Sequence, residues 1–422
     1  MASRGESSDD LGGTHGSGAL NLGMVAGEAS SDLLAADVLR ALDGQVRGHG
    51  REPVATGGIG GARMAAAGFD AWWPAERLSV HGYAEAIKAL PALLWIRYRL
   101  GRRLLRWPAS VFVGIDAPDF NLGLERRLRG AGVRTVHFVS PSIWAWRPER
   151  ISTIRQAVDH MLLVFPFEQE IYREAGIRAT YVGHPLADTI PVTPDRAAAR
   201  RVLGLDSASR DPVIALLPGS RKGEIARLAP LFLAVAAIVG RSRPRTRFLI
   251  PAASGERLAE LRAHVAAIRA AEPTLAVTLV DGQSHRVLEA ADAVLVASGT
   301  ATLEAALYRR PMVIAYRVPD VDYRRMKRQS LLPYVGLPNI LCGAFIVPEF
   351  IQDEAQPDPI AHALFEALDD TAAAERLEQR FAELHRSLRR GCAEQVAAAI
   401  ATEVRGGSRA RVGAGTEARV VH

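Results

Sequence analysis

The chain reads as an α/β protein with two Rossmann-like, doubly wound domains facing a cleft, and three observations predict it. Short apolar runs alternate with helical patterns from residue 20 onward, which implies parallel strands with helices on both faces. A Pro-containing stretch, HPLADTIPVTPD (His184 to Asp195), interrupts that alternation near mid-chain. The length of 422 residues exceeds one ordinary domain and fits two that each bury a core. The expected divisions are a disordered extension over 1–19, an N-terminal domain over 20–187, a second domain over 188–369, a helical segment over 370–405 packing back across both, and a mobile tail over 406–422.

In order, the first half offers LNLGMVA, the helix SDLLAADVLRAL, then PVATGGI, SVFVGID, VRTVHFV, HMLLVF and ATYVG. The second half repeats the logic with VIALLP, RFLIPA, LAVTLV, AVLVAS and PMVIAY. Continuous apolar runs of this length suit parallel strands buried on both faces. In open α/β sheets ligands bind beyond the carboxyl ends of the strands, so the chemistry is sought in the loops that follow these runs.

Hydrophobic residues at 48% and charged residues at 23% describe a soluble globular chain. The net charge of +6 favours anionic partners: nucleotides, phosphorylated substrates or an anionic membrane surface. No aromatic RNA-binding signature, zinc-finger spacing or basic arm accompanies it, so nucleic acid is not an expected partner. Cys342 and Cys392 form no CxxC pair, which suggests a reducing compartment. The first twenty residues lack a signal peptide's apolar core, and no uninterrupted apolar run approaches the ~20 residues that cross a bilayer. A cytoplasmic or peripheral protein is expected.

Two strand-turn-helix junctions have the build of anion cradles. VIALLPGSRKGEI (Val213 to Ile225) and AVLVASGTATLEA (Ala293 to Ala305) each stop an apolar run at Gly with Ser or Thr and open a helix at once. Free amides and the positive helix end then converge on one point, which suits a phosphate. Arg221 adds a charged fork beside the first junction. At the second, Ser298, Gly299 and Thr300 open the helix, and Glu304 one turn in is placed to accept from both ribose hydroxyls of a nucleotide. Gly and Ser at strand ends are common in α/β proteins, so the pair of junctions carries the inference rather than either alone.

MVAGEASSDLL sets Glu28 and Ser30 at the first strand-to-helix turn; Ser30 or Ser31 suits a helix cap, whereas Glu28 suits a sugar hydroxyl or a base. FVGIDAPDF puts Asp116 at a strand end, where an Asx-turn competes with a chemical role, and Asp119 where it would cap the next helix. Trp144 and Trp146, beside Ser140 and Ser142, suit either sugar stacking or a buried aromatic pair. His184 at the domain junction is a minor candidate for ligand contact or a turn cap. Asn339 in YVGLPNILCG and Gln352 in IVPEFIQDE are loop amides that suit uracil or ordinary turn chemistry. The triplet Asp320 to Asp322 has no strand feeding it and reads as a solvated turn; no residues show metal-ligand spacing, so neither metal nor cofactor is expected.

The segment Ile87 to Trp107 interleaves Leu93, Leu94, Trp95, Ile96, Leu104, Leu105 and Trp107 with Arg97, Arg99, Arg102, Arg103 and Arg106. Such cationic, Trp-containing segments lie in the headgroup zone of anionic bilayers. The competing reading is a helix on the sheet with an Arg-rich solvent face, and Gly101 weakens a single long helix. Tyr323 to Tyr334 (YRRMKRQSLLPY) is a second basic-apolar stretch.

Taken together, AGEASSD, VGIDAPDFN, HFVSPSIWAWR, FPFE, VGHPLAD, LLPGSR, ASGTATLEA, YVGLPNIL and EFIQDE resemble the lipid-A-disaccharide synthases, inverting glycosyltransferases of the GT-B type, from about Gly27 to about Gln395. The resemblance implies transfer of 2,3-diacylglucosamine from UDP-2,3-diacylglucosamine to 2,3-diacylglucosamine 1-phosphate, giving a β-1,6-linked disaccharide 1-phosphate and UDP in Gram-negative lipid A and lipopolysaccharide biosynthesis. It implies no metal, an enzyme on the cytoplasmic face of the inner membrane, and leaves an oligomer open. By the same resemblance Arg221 contacts the UDP diphosphate, Ser298, Gly299, Thr300 and Glu304 hold phosphate and ribose, and Asn339 and Gln352 lie on the nucleotide side. Asp116 is the essential carboxylate, and Glu28 and Ser30 line the acceptor side. Ser31 stands where the family's motif carries Gly; a Cβ there would restrict the first loop and bears on Ser30.

An α-linked donor giving a β product needs in-line attack, with a carboxylate such as Asp116 taking the proton of the acceptor's 6-hydroxyl. UDP-N-acetylglucosamine 2-epimerase, of similar shape, is the rival enzyme reading. A non-catalytic nucleotide-sugar or membrane-docking protein is the third.

Overall fold

The computed structural model describes residues 21–48, 54–78 and 83–416. The expected extension over 1–19 lies outside them, as does the tail beyond Thr416. Among the described residues thirteen strands are present: β1 (Asn21–Ala26), β2 (Ala55–Gly60), β3 (Ala71–Pro74), β4 (Val111–Ile115), β5 (Arg134–Phe138), β6 (His160–Leu163), β7 (Ala179–Tyr181), β8 (Val213–Leu217), β9 (Arg247–Ala252), β10 (Val277–Asp281), β11 (Ala293–Val296), β12 (Met312–Tyr316) and β13 (Glu349–Ile351). They form a seven-stranded sheet in the order β3-β2-β1-β4-β5-β6-β7 and a six-stranded sheet in the order β10-β9-β8-β11-β12-β13.

The described strand pairs are parallel, among them β1 with β2 and β4, and β8 with β9 and β11. β4, β6, β8 and β11 are buried along their whole length, which is why their apolar runs are unbroken. Two strands escaped the sequence reading. β3 (AWWP) and β13 (EFI) sit at sheet edges, where half-exposed residues leave no continuous apolar run.

The chain divides into two compact units, one containing residues up to Val136 and from Ala397 onward, the other His137–Val396. In the first, Ile96, Leu100 and Leu104 of the helix Tyr83–Arg106 join Val25, Phe112, Leu124 and Leu128 in one core. That helix continues through Gly101, contrary to expectation. Gly101 is buried, and a Cβ there would stand 3.2 Å from both Leu124 and Arg127, so this glycine lets the helix Pro118–Gly130 approach closely.

In the second unit the helix Lys222–Ser242 buries Leu228, Phe232, Val235 and Val239 against Ile214, Leu216, Phe248 and Leu295. Its length and hydropathy would suit a membrane span, but its apolar side chains form this core. Toward the C-terminus, the helix Thr371–Leu388 packs on Pro185–Thr189, and His385 Nε2 lies 2.9 Å from the Ala187 carbonyl oxygen. Asp188 then accepts from the amides of Gly391 and Cys392 at 3.0 and 2.6 Å, starting the helix Cys392–Thr416. That helix extends past Arg405, where the composition suggested a mobile tail.

Candidate active site

In the second unit, a cavity of about 570 Å³ opens beyond the carboxyl ends of β8, β9 and β11. Arg221, Gly219 and Ser220 line it from one junction, and Ser298, Gly299, Thr300 and Glu304 from the other, with Pro251, Gln283 and Tyr316 between them. The two junctions singled out in the sequence therefore share one cavity.

Their amides are not equivalent. At the first junction, Glu224 Oε2 accepts from the backbone N–H of Ser220 and of Arg221, both at 3.2 Å, so a carboxylate of the chain occupies the place foreseen for a phosphate. Glu224 Oε1 takes a 3.3 Å hydrogen bond from the Tyr316 hydroxyl and lies 3.6 Å from Arg221 Nη1. Gly219, at φ 104°, makes room: a Cβ there would fall 2.6 Å from Glu224 Oε2. Arg221 itself projects outward, with its side chain 83% exposed.

At the second junction no side chain caps the helix Thr300–Leu307, so its first amides face the cavity uncovered. Gly299 holds φ 143°, and Ser298 donates to the Val335 carbonyl at 2.9 Å. Thr302, unremarked in the sequence, is fully buried; it donates to the Gly299 carbonyl at 2.8 Å and accepts from Leu337 N–H at 3.2 Å, tying the turn in place. Burial raises the Glu304 carboxyl above its ordinary value, and the nearby His285 opposes that rise.

Asn339 and Gln352 do not line this cavity, and their amides are committed elsewhere. Asn339 is fully buried, donates to the Val347 carbonyl and Glu349, and accepts from Ile346 and Val347. Gln352, at φ 54°, grips the main chain of Val318 from both ends, accepting at 2.7 Å and donating at 3.0 Å. Both amides brace the chain around β12 and β13, the local role the sequence offered beside uracil contact. Asp320 and Asp322 are not in a turn; they open the helix Asp320–Gln329, whose acidic start and basic end match the helix dipole. Among the described residues no group of three or more His, Cys, Asp or Glu has metal-holding geometry.

In the first unit, a second cavity of about 440 Å³ is lined by Glu28, Asp116, Asp119 and Arg97 together with Leu78, Leu90, Leu93, Leu94 and Phe120. Asp116 and Ala117 both hold left-handed backbone, at φ 53° and 44°. Two successive non-glycine residues there store strain, as residues at functional sites do. The turn is fixed by Asn121, whose Nδ2 donates to the Asp116 carbonyl at 2.8 Å, while among the described residues the Asp116 carboxylate has no hydrogen-bond or ion-pair partner. Asp119 is not the cap: Ala117 occupies that position, Pro118 follows, and Asp119 lies in the helix's first turn.

Glu28 is exposed at the mouth of this cavity. Ser30 is exposed beside it and does not line the cavity. Ser31 does the local work, since its hydroxyl accepts from Glu28 N–H and donates to the Glu28 carbonyl, both at 3.0 Å. The residue that departs from the family's glycine is thus a buried brace for Glu28. Asp32, also missed, reaches across to accept from the amides of Gly61, Arg63 and Met64. The clue lay in AGEASSD, an acidic residue in a helix's first turn that turns out to cap a neighbouring helix.

On the helix Tyr83–Arg106, Leu90, Leu94, Trp95 and Tyr98 are exposed, whereas Leu93 and Arg97 are half-buried. Arg99 lies over Trp95 and Arg102 over Tyr98. Trp107 is half-buried and packs edge-on against Trp72, and Arg103 lies over the same ring while remaining exposed.

Trp144 is held inward. Its Nε1 donates to Glu168 at 3.1 Å and its half-buried ring meets Phe165 and Phe167 edge-on, whereas Trp146 is exposed under Arg147, so the two tryptophans do not form a buried pair. Ser140 lies 2.7 Å from the Tyr172 hydroxyl. Burial pushes Glu168 up to about 7 despite the hydrogen bonds it accepts. His184 stacks on Phe165 and accepts from Leu186 N–H through Nδ1, capping its helix; burial lowers its pKa to about 4.

Residues 22–400 match the family model for lipid-A-disaccharide synthetase. The chain is 50% identical over 387 residues to the lipid-A-disaccharide synthase of Paraburkholderia phytofirmans and 51% identical over 387 residues to that of Paraburkholderia xenovorans, covering 91% of this chain and 96% of each relative. Among solved structures, it is similar to UDP-GlcNAc 2-epimerase from Neisseria meningitidis bound to UDP-GlcNAc, with TM-score 0.56, 10% identity, and 91% and 99% of the two chains covered. It is also similar to an Anabaena protein in complex with UDP and glucose, with TM-score 0.52, 13% identity, and 91% and 100% covered. The two parallel sheets are those of the GT-B fold shared by glycosyltransferases and these epimerases.

Proposed function

The chain belongs to the lipid-A-disaccharide synthase family, and from that premise we propose that it transfers 2,3-diacylglucosamine from UDP-2,3-diacylglucosamine to the 6-hydroxyl of 2,3-diacylglucosamine 1-phosphate. The observation that carries the site assignment is the uncapped start of Thr300–Leu307, which opens into the same cavity as Arg221 and the half-buried Glu304. A diphosphate at that helix start gains free amides, the helix dipole and a guanidinium. Glu304, one turn along, then accepts from the ribose hydroxyls.

Asp116 takes the acceptor's proton as the glycosidic bond forms, and its unpartnered carboxylate in a leucine-walled cavity supports that role. Charge developing on departing UDP is met by Arg221 and the amides at Gly299 and Thr300. Glu28 binds the acceptor sugar, with Ser31 holding its backbone. Leu90, Leu93 and Leu94 give the acyl chains an apolar path from the cavity to the exposed face carrying Trp95. That face docks peripherally on an anionic membrane surface, which for this reaction is the cytoplasmic side of the inner membrane.

UDP release on mixing the protein with both acylated substrates tests the proposal, and sustained turnover in excess chelator tests its metal-free account. Conversion of water-soluble UDP-N-acetylglucosamine alone into its C2 epimer would instead support epimerase chemistry, and UDP binding without turnover would support a docking protein.

A further inference from the structure

Arg97 is the single cation among the described residues lining the cavity of Glu28, Asp116 and Asp119. Among the described residues no ion pair joins it to Glu28 or Asp116, and it donates one long hydrogen bond, 3.4 Å from Nη1 to the Asp119 carbonyl oxygen. The guanidinium rests in a notch on the helix Pro118–Gly130 that Gly123 leaves open, since a Cβ on Gly123 would come 2.6 Å from Nη1. A half-buried arginine with most of its donors unspent, beside an apolar wall, is poised for an anion. A purely carboxylate-lined cavity would repel a phosphorylated sugar, so some group must offset that charge.

We infer that Arg97 binds the phosphate monoester of the acceptor and makes this cavity selective for a phosphorylated sugar. The inference rests on the transfer reaction proposed above. It gives the cavity two ends: carboxylates at the reacting hydroxyl, and a fork for the anomeric phosphate. Arg97 is a specificity-determining residue here, not a proton carrier, so its loss acts on acceptor binding.

The test compares the full-length wild type with R97A, R97K and G123A, using the 1-phosphate acceptor and the same diacylglucosamine without phosphate, in one detergent. A hydrogen-bonded charge pair is worth about 1.5–3 kcal/mol, so R97A should raise KM for the phosphorylated acceptor by roughly 10- to 150-fold. KM for the donor and kcat/KM for the phosphate-free acceptor should stay within about twofold of wild type. R97K, a point charge without the fork, should recover part of the loss, and G123A, which displaces the guanidinium but keeps its charge, should fall between.

An equal loss on both acceptors, or no change on either, overturns the assignment. So does an R97A defect that follows vesicle binding rather than the acceptor's phosphate. Thermal melting of R97K and G123A, which keep the charge, separates a folding defect from a binding one. If wild type releases no UDP with either acceptor, the underlying transfer reading fails instead.

Discussion

Glu224 Oε2 accepts the backbone N–H of Arg221 at 3.2 Å, and Oε1 lies 3.6 Å from the same residue's Nη1. One carboxylate thus satisfies the helix start that a phosphate would otherwise seek and stands beside the exposed guanidinium. The consequence is a division between the two junctions: the Gly299 turn offers the amides and Arg221 offers the charge. R221A should therefore weaken UDP binding about tenfold or more, the range for a charge-assisted hydrogen bond, while leaving the melting temperature nearly unchanged. E224A should do the reverse in stability, losing about 1 kcal/mol of helix capping. Calorimetric titration with UDP and thermal melts check both.

Asp116 combines an unpartnered carboxylate with a left-handed backbone. D116N should cut transfer about 10²- to 10⁴-fold, the contribution of a positioned base, and spare UDP binding. D116G should lose transfer equally but melt no lower than wild type, because glycine removes the steric cost of that conformation. Full turnover in either variant would take Asp116 out of the mechanism.

Asp32 should matter for stability alone. Its carboxylate serves three amides at the start of the helix Ala62–Ala66. D32A should destabilise the protein by roughly 1–3 kcal/mol, the cost of leaving such groups unsatisfied. Denaturant unfolding followed by circular dichroism would show it, with UDP affinity unaltered under native conditions.

Glu168 and His184 predict opposing pH dependences. The folded chain keeps Glu168 protonated up to about 7, above its ordinary 4.5, so this group's contribution to stability falls as pH rises between those values. His184 is held neutral down to about 4, below its ordinary 6.5, so its contribution is complete above 6.5 and is lost as pH falls toward 4. The two slopes oppose each other between about 4.5 and 6.5. E168Q should grow more stable with rising pH across that window relative to wild type, and H184N should grow less stable. Melting temperatures at half-unit pH steps measure it, and parallel curves for all three proteins would refute it.

Leu94 and Trp95 are exposed on the helix Tyr83–Arg106. Burying a large apolar side chain in a bilayer interface contributes up to about 1.5–3 kcal/mol, so L94A/W95A should lower partitioning into anionic vesicles by about tenfold or more. R102A should act through charge, with a loss that fades as salt rises. Vesicle sedimentation at two ionic strengths separates the two effects.

The sequence by itself determined the α/β class, eleven of the strand positions, both Gly-rich junctions and the family, because buried parallel strands and ordered motifs leave local patterns. Edge strands β3 and β13 left none, as their residues are half-exposed. Hydrogen-bond commitment was decided only in three dimensions. Nothing local in YVGLPNILCG shows that Asn339 spends its whole amide on Ile346, Val347 and Glu349, or that Asp32 serves a helix some thirty residues away. The same holds for Arg97, which reads as one of five arginines on an amphipathic stretch and is set apart by the notch at Gly123. Composition and spacing fix which groups a chain carries. Which of them remain unpaired and face a cavity depends on contacts between residues distant in sequence, and those exist only once the chain has folded.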